Sequence, residues 1–152
     1  MTRVLVIGSE GFIGSTVARI LGETFHVQKA DIVHGVEAEN YHLVSAEQPD
    51  FVRLLEETRP DVLINCSGAA SVPLSFEHPS RDFRLNTVRV VDMLEAIRTS
   101  APSVRLIHLS SAAVYGNPSS LPVSEDASAA PMSPYGWHKL LAEQACREYG
   151  VL

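Results

Sequence analysis

Tyr135 and Lys139 stand four apart in Pro134-Tyr135-Gly136-Trp137-His138-Lys139, so on a helix they share one face. A tyrosine hydroxyl is a poor base at its ordinary pKa of ~10, but an ammonium alongside favours the phenolate. Such a pair can take the proton from a hydroxyl whose carbon gives up a hydride. Ser111 ends an apolar run, Val104 to Leu109 followed by Ser110, and could donate a hydrogen bond to the same oxygen and hold it in line. A hydride needs an acceptor, and the start of the chain offers a place for one. Gly8-Ser9-Glu10-Gly11-Phe12-Ile13-Gly14 follows directly on Arg3-Val4-Leu5-Val6-Ile7, which reads as strand, glycine turn, helix. Gly8 permits the tight turn, Gly11 lets the backbone approach a phosphate, and Gly14 lets helix and strand pack closely. With helix N–H groups facing the anion, this is the pattern of a dinucleotide pyrophosphate site.

Asp31 extends that reading. It closes a second strand, Phe25 to Ala30, and stands 23 positions after Gly8, close to the ~20-residue offset of a ribose-binding acid. Its carboxylate would accept from the adenosine ribose hydroxyls and repel a 2′-phosphate, which favours NAD over NADP. Lys29 is nearby, and strand alternation is expected to aim it in a different direction from the ribose.

The elements that must position these residues alternate along the chain. Strands are expected at Val4–Ile7, Phe25–Ala30, Tyr41–Val44, Val62–Asn65 and Val104–Leu109. A first helix, Phe12 to Leu21, would turn Ile13, Val17, Ile20 and Leu21 inward. A second opens with Pro49 in its first turn, with Phe51, Leu54 and Leu55 inward, and ends before Pro60. A longer one runs from about Ser80 to Arg98, and the last covers Pro134 to Tyr149, with residues 117–134 a Pro- and Ser-rich loop. Strands separated by helices imply right-handed crossovers and a Rossmann-like, doubly wound parallel α/β sheet. Ligands in such a sheet bind beyond the carboxyl ends of the strands, where Gly8–Gly14, Asp31, Ser67–Ala70 and Ser110-Ser111 all fall.

Composition narrows the class. The 152 residues are enough for one hydrophobic core, and 45% apolar content with moderate charge describes a globular domain. A formal charge of −6 without a basic cluster argues against nucleic acid as a partner. No apolar run approaches a membrane span, and the first residues lack a signal-peptide pattern, so the cytoplasm is the expected compartment. Cys66 and Cys146 suit neither a metal site nor a disulfide and read as buried thiols, with Cys66 close enough to the expected cofactor cleft to be chemically accessible; the six histidines show no zinc spacing. His108 reads as a sheet histidine, His138 as exposed or interfacial because it sits one position from Lys139, and Glu125 as an anchor of the long loop. Trp137 reads as a packing or subunit-contact residue.

With these motifs in place, the chain resembles the extended short-chain dehydrogenase/reductases, in the group of NAD-dependent nucleotide-sugar epimerases and dehydratases. Gly8–Gly14 with Phe12-Ile13 as its apolar filling, Pro60-Asp61-Val62 leading to Ser67-Gly68-Ala69-Ala70, and the loop with Ser71-Val72, Ser75 and Pro79 all carry the resemblance. So do Asn86, Ser110-Ser111 with Val114-Tyr115-Gly116, Glu125, and Ser133-Pro134-Tyr135 with Lys139 and Glu143. The resemblance implies that Ser111, Tyr135 and Lys139 are catalytic. It also implies that Gly8, Gly11, Phe12, Ile13, Gly14, Asp31, Ser67, Gly68, Ala69 and Asn86 contact NAD together with Tyr135 and Lys139, and that the tyrosine helix pairs two subunits.

The chain departs from the family's pattern in three places. Val44-Ser45 stands where a third-strand aspartate usually contacts adenine, leaving Ser45 as a weaker donor. Arg89 replaces the glycine that usually follows the helix asparagine by three positions, which affects local helix packing. Members also continue past the tyrosine helix into a sixth strand and a smaller substrate domain. Residues 1–152 are therefore expected to be an incomplete NAD-binding domain that carries the catalytic residues, poorly soluble or inactive as an isolated polypeptide. Most sugar-reading residues would lie beyond Leu152.

The reaction turns on what flanks Ser111. Dehydration needs an extra acid and base, for which the family uses a Thr-Asp-Glu arrangement, and Ser111-Ala112-Ala113 carries no carboxylate. Epimerisation at C4 through a transient keto-sugar needs only the proton relay and the returning hydride, and it is the expected activity. A sugar dehydrogenase or ketoreductase without epimerisation is the alternative, followed by a decarboxylating variant, and then by a cofactor-binding protein without turnover.

Overall fold

A computed structural model describes residues 1–36 and 38–151; Glu37 and Leu152 lie outside the described residues. The chain forms two compact units, one of residues 1–67 and 95–109 and the other of residues 68–94 and 110–152. No helix among the described residues is long and apolar enough to cross a membrane.

The first unit is built on a parallel sheet. Its strands are β1 (Arg3–Ile7), β2 (His26–Asp31), β3 (Tyr41–Leu43), β4 (Val62–Asn65) and β5 (Arg105–His108), in the order β3-β2-β1-β4-β5. The register aligns Ile7 with Ala30 on one side and with Asn65 on the other, so β1 and β4 end level and β2 runs one residue further, to Asp31. Val4, Leu5, Val6 and Ile7 are all buried, because a central parallel strand is covered on both faces and its sequence is apolar without alternation. Val4, Val6, Val27 and Ile64 make one side of the core with Ala18, and Val17, Leu21, Val62, Cys66 and Leu109 pack against it.

Helix α1 (Phe12–Leu21) has the expected span but a different inward face. Gly14 and Ala18 are buried, with Val17 and Leu21 partly so, while Ile13 and Ile20 are half-exposed. A Cβ at Gly14 would lie 2.0 Å from the Gly8 carbonyl oxygen. That approach turns the small residues inward and leaves the bulkier isoleucines outside. Helix α2 (Phe51–Thr58) buries Phe51, Leu54, Leu55 and Thr58. Asp50, rather than a turn containing Pro49, starts it: Asp50 Oδ1 accepts from Arg53 N at 3.0 Å. Arg59 closes it in the left-handed region at φ 42°, just before Pro60.

The second unit is helical. Residues read as a loop form α3 (Val72–Glu77), capped by Ser71 Oγ, which accepts from Leu74 N at 3.3 Å. The long helix expected from Ser80 begins at Pro79 and comes in three parts: α4 (Pro79–Phe83), a π-helical turn at Arg84–Val88, and α5 (Arg89–Ser100), whose last residues belong to the first unit. Arg89 continues the helix directly after the π turn and is half-buried. A 3-10 turn at Ala112–Tyr115 follows Ser111, and α6 (Pro134–Tyr149) has the expected bounds, with Pro134 in its first turn and Ser133 Oγ accepting from Gly136 N at 3.1 Å.

Candidate functional site

In the first unit, three strand ends carry the expected nucleotide-binding residues. Gly8 sits at φ +81°, where a Cβ would also lie 2.8 Å from the Cys66 carbonyl carbon and the Ser67 nitrogen. Only glycine satisfies both the backbone conformation and the space. Gly8 N donates to Ala30 O at 2.8 Å and Gly11 N to Gly8 O at 3.2 Å, which binds the turn to the end of β2. Gly11 is the N-cap of α1 and brings no side chain to it, and the first helical turn holds no acidic residue. The first N–H groups of α1 therefore suit an anion. Phe12 is exposed and Ile13 half-exposed at that end.

Asp31 is buried, and its two oxygens hold the loop: Glu10 N donates to Oδ2 at 2.8 Å and Ile32 N to Oδ1 at 2.7 Å. A carboxylate has about four acceptor positions, so these two bonds leave capacity for ribose hydroxyls. Lys29 is not turned away from this corner. Positions two apart on a strand share a face, and Lys29 Nζ lies 3.6 Å from Glu10 Oε1. Ser67, after β4, is fixed by Asn65, whose Oδ1 accepts from Ser67 N at 3.0 Å and from Ser67 Oγ at 2.6 Å. Asn65 Nδ2 and His108 Nδ1 are 3.1 Å apart, in keeping with His108 as a sheet histidine. Ser45 Oγ accepts from Glu47 N and Gln48 N at 3.2 and 3.0 Å, closing a local turn.

In the second unit, Ser111, Tyr135 and Lys139 come from the two segments that Gly136 brings into contact. A Cβ at Gly136 would lie 2.6 Å from the Ala113 carbonyl oxygen, so the 3-10 turn seats against the first turn of α6. Ser111 Oγ accepts from Ala113 N at 3.2 Å, which leaves its O–H as a donor. Ser110 Oγ donates to Glu143 Oε1. Tyr135 is half-buried and Lys139 is 5% exposed, on the same buried face of α6 as Gly136, Ala142 and Ala145. Burial pushes the Lys139 ammonium below the ordinary lysine range, while the charges of Glu143, Cys146 and Asp82 pull it back up.

Gly68 and Asn86 also meet here. Gly68 lies at φ +131°, and a Cβ there would stand 2.5 Å from Asn86 Oδ1. Asn86 is buried in the π turn; its Nδ2 donates to Asp82 Oδ1 at 3.1 Å, and among the described residues Oδ1 has no hydrogen-bond partner. Ala69 is partly buried beside Gly68. His138 is not exposed. Its side chain is largely buried, Nδ1 lies 2.6 Å from Asp82 Oδ1, and the ring meets Phe83 edge-on. One position from Lys139 on a helix is a turn of only ~100°, which leaves both side chains within one buried flank. Thr87 Oγ1 donates to His138 O at 2.9 Å, so the π turn is tied to α6 beside the α4 contact made by Asp82. Asp82 and His138 are 56 positions apart and share no motif, so only the folded chain reveals them as partners.

Cys66 and Cys146 are half-buried rather than buried, and burial pushes both thiols up, so both are protonated at neutral pH. Glu125 is exposed in the long loop and Trp137 is half-exposed on α6.

The model of the NAD dependent epimerase/dehydratase family matches residues 4–151. Among curated relatives, a UDP-glucose 4-epimerase of Mycolicibacterium smegmatis is 37% identical over 93% of the chain and 49% of its own length. That of Azospirillum brasilense is 33% identical over 98% of the chain and 45% of its own length. Among solved structures, the UDP-glucose 4-epimerase of Brucella ovis in complex with NAD superposes with a TM-score of 0.90 at 31% identity, covering 99% of this chain and 48% of that one. The chain spans about half the length of the curated relatives it matches.

Proposed function

This chain belongs to the NAD dependent epimerase/dehydratase family, and on that premise we propose that it serves a nucleotide-sugar 4-epimerase with UDP-hexoses as substrates. NAD, when bound, supplies the acceptor that takes a hydride from C4 and later returns it. Gly8, Gly11, Phe12, Ile13 and Gly14 hold the pyrophosphate end, Asp31 accepts from the adenosine ribose, and Ser67, Gly68, Ala69 and Asn86 complete the dinucleotide contacts. Tyr135 takes the proton of the C4 hydroxyl, Lys139 favours the anion that forms, and Ser111 donates to the same sugar oxygen. Turning the keto-sugar before reduction inverts C4, and Tyr135 gives the proton back.

One observation carries this reading: the buried Lys139 shares α6 with Tyr135, and Gly136 seats that helix on the Ser111 turn. Ala112 and Ala113, after Ser111, provide no carboxylate for dehydration. The half-exposed Trp137 and Leu141, four apart on α6, support a homodimer through the tyrosine helix. Two protonated, unpaired thiols accord with the reducing cytoplasm. The test is product analysis by nuclear magnetic resonance after incubating the intact protein with UDP-galactose and NAD. The expected result is UDP-glucose without net NADH. NADH accumulating in step with substrate consumed would favour a dehydrogenase instead.

A further inference from the structure

The corner where β2 meets the glycine turn contains a charge arrangement that binding of a dinucleotide does not by itself require. Lys29 shares its strand face with Asp31, the carboxylate proposed to read the ribose. An ammonium there would attract a 2′-phosphate and oppose the selection that Asp31 makes. The fold occupies that ammonium. Lys29 Nζ lies 3.6 Å from Glu10 Oε1, with side chains only 24% and 28% exposed, and 5.8 Å from the centre of the Tyr41 ring. Glu10 is itself fixed: its N–H donates to Asp31 Oδ2 at 2.8 Å, and Ser9 Oγ donates to its Oε1 at 3.3 Å. Glu10 therefore holds a carboxylate beside the Lys29 ammonium, on the strand face that also carries Asp31. Burial first, and then the charges of Asp31 and Glu10, push the phenol of the neighbouring Tyr41 up.

We propose that Glu10 is a specificity-determining residue: by neutralising Lys29 it keeps the ribose end of the site closed to a 2′-phosphate and so selects NAD over NADP. The assignment rests on the dinucleotide reading of this unit and adds to it. Asp31 repels the phosphate directly, and Glu10 neutralises a cation on that strand face that would reward it.

The test is NADH and NADPH binding, followed by nicotinamide fluorescence, in the intact protein and in Glu10→Gln, Lys29→Met and the double variant. The wild type is expected to prefer NADH. Glu10→Gln retains the backbone bond to Asp31 and frees Lys29, so the preference should fall about tenfold through tighter NADPH binding, and the fall should shrink with added salt. Lys29→Met should keep the wild-type preference or raise it, and the double variant should behave like Lys29→Met. A preference unchanged in Glu10→Gln, or a fall that persists when Lys29 is also replaced, overturns the assignment while leaving the dinucleotide reading intact. Binding of neither dinucleotide by the wild type overturns that reading, and the assignment falls with it.

Discussion

The glycine turn after β1 and the π turn between α4 and α5 both carry proposed dinucleotide contacts, and they are held by opposite means. At the glycine turn the material is backbone. Gly8 N reaches Ala30 O, Glu10 N reaches Asp31, and the missing Cβ atoms of Gly8 and Gly14 let segments close to distances that no other residue allows. At the π turn the material is side chain. Asp82, buried, accepts from Asn86 and pairs with His138, while Thr87 donates to the His138 carbonyl. The glycine turn is fixed by side chains that are missing, and the π turn by polar side chains, one of them, His138, 56 positions from its partner Asp82. The first kind tolerates almost no added atom, and the second tolerates no lost partner.

The sharpest way to break the contrast is to add one carbon at the turn. Gly14→Ala puts a Cβ 2.0 Å from the Gly8 carbonyl oxygen and should cost about 3 kcal/mol in denaturant unfolding, with NADH binding lost. Gly11→Ala is the control: its backbone, φ −74° and ψ 168°, accepts alanine and the nearest atom is 3.3 Å away. That variant should change stability by less than about 1 kcal/mol. It should nevertheless weaken NADH about tenfold, because its methyl group stands where the backbone approaches phosphate. Equal stability losses in the two variants would remove the distinction between packing and ligand approach.

A smaller effect is expected from pH in the helical unit. Folding lowers the Lys139 pKa, chiefly by burial, so between that lowered value and the ordinary ~10.4 the unfolded chain binds more protons than the folded one. Stability from this group is therefore fully present above the ordinary value and is lost as pH falls through the lowered one. Lys139→Met should flatten that rise in the unfolding midpoint with pH. A wild-type rise matched by the variant would assign the dependence elsewhere.

The contrast also explains what could be read before folding. β4 at Val62–Asn65 and α6 at Pro134–Tyr149 have the expected bounds because apolar runs, Pro134 and the Ser133 cap are local signals. Helix α3 went unread because its six residues, with Pro73 in the first turn, are too few to show a period. The π turn has no sequence signature of its own. Apolar spacing points Ile13 and Ile20 inward with Val17 and Leu21, but the contact between Gly14 and Gly8 decides which face of α1 turns in. Lys29 differs for another reason: its two-residue spacing from Asp31 puts both on one face of β2. His138 shows the limit most plainly: its partner, Asp82, lies in another helix, and nothing in Trp137-His138-Lys139 announces a buried pair.

The central claim is that the Tyr135 hydroxyl moves the proton while the dinucleotide is held chiefly by the glycine turn and Asp31. Tyr135→Phe tests it most directly, with NADH affinity and UDP-galactose turnover measured on the same preparation of the intact protein. The account predicts NADH binding within about threefold of wild type and turnover reduced at least about 100-fold. Turnover that survives the loss of the hydroxyl would contradict it.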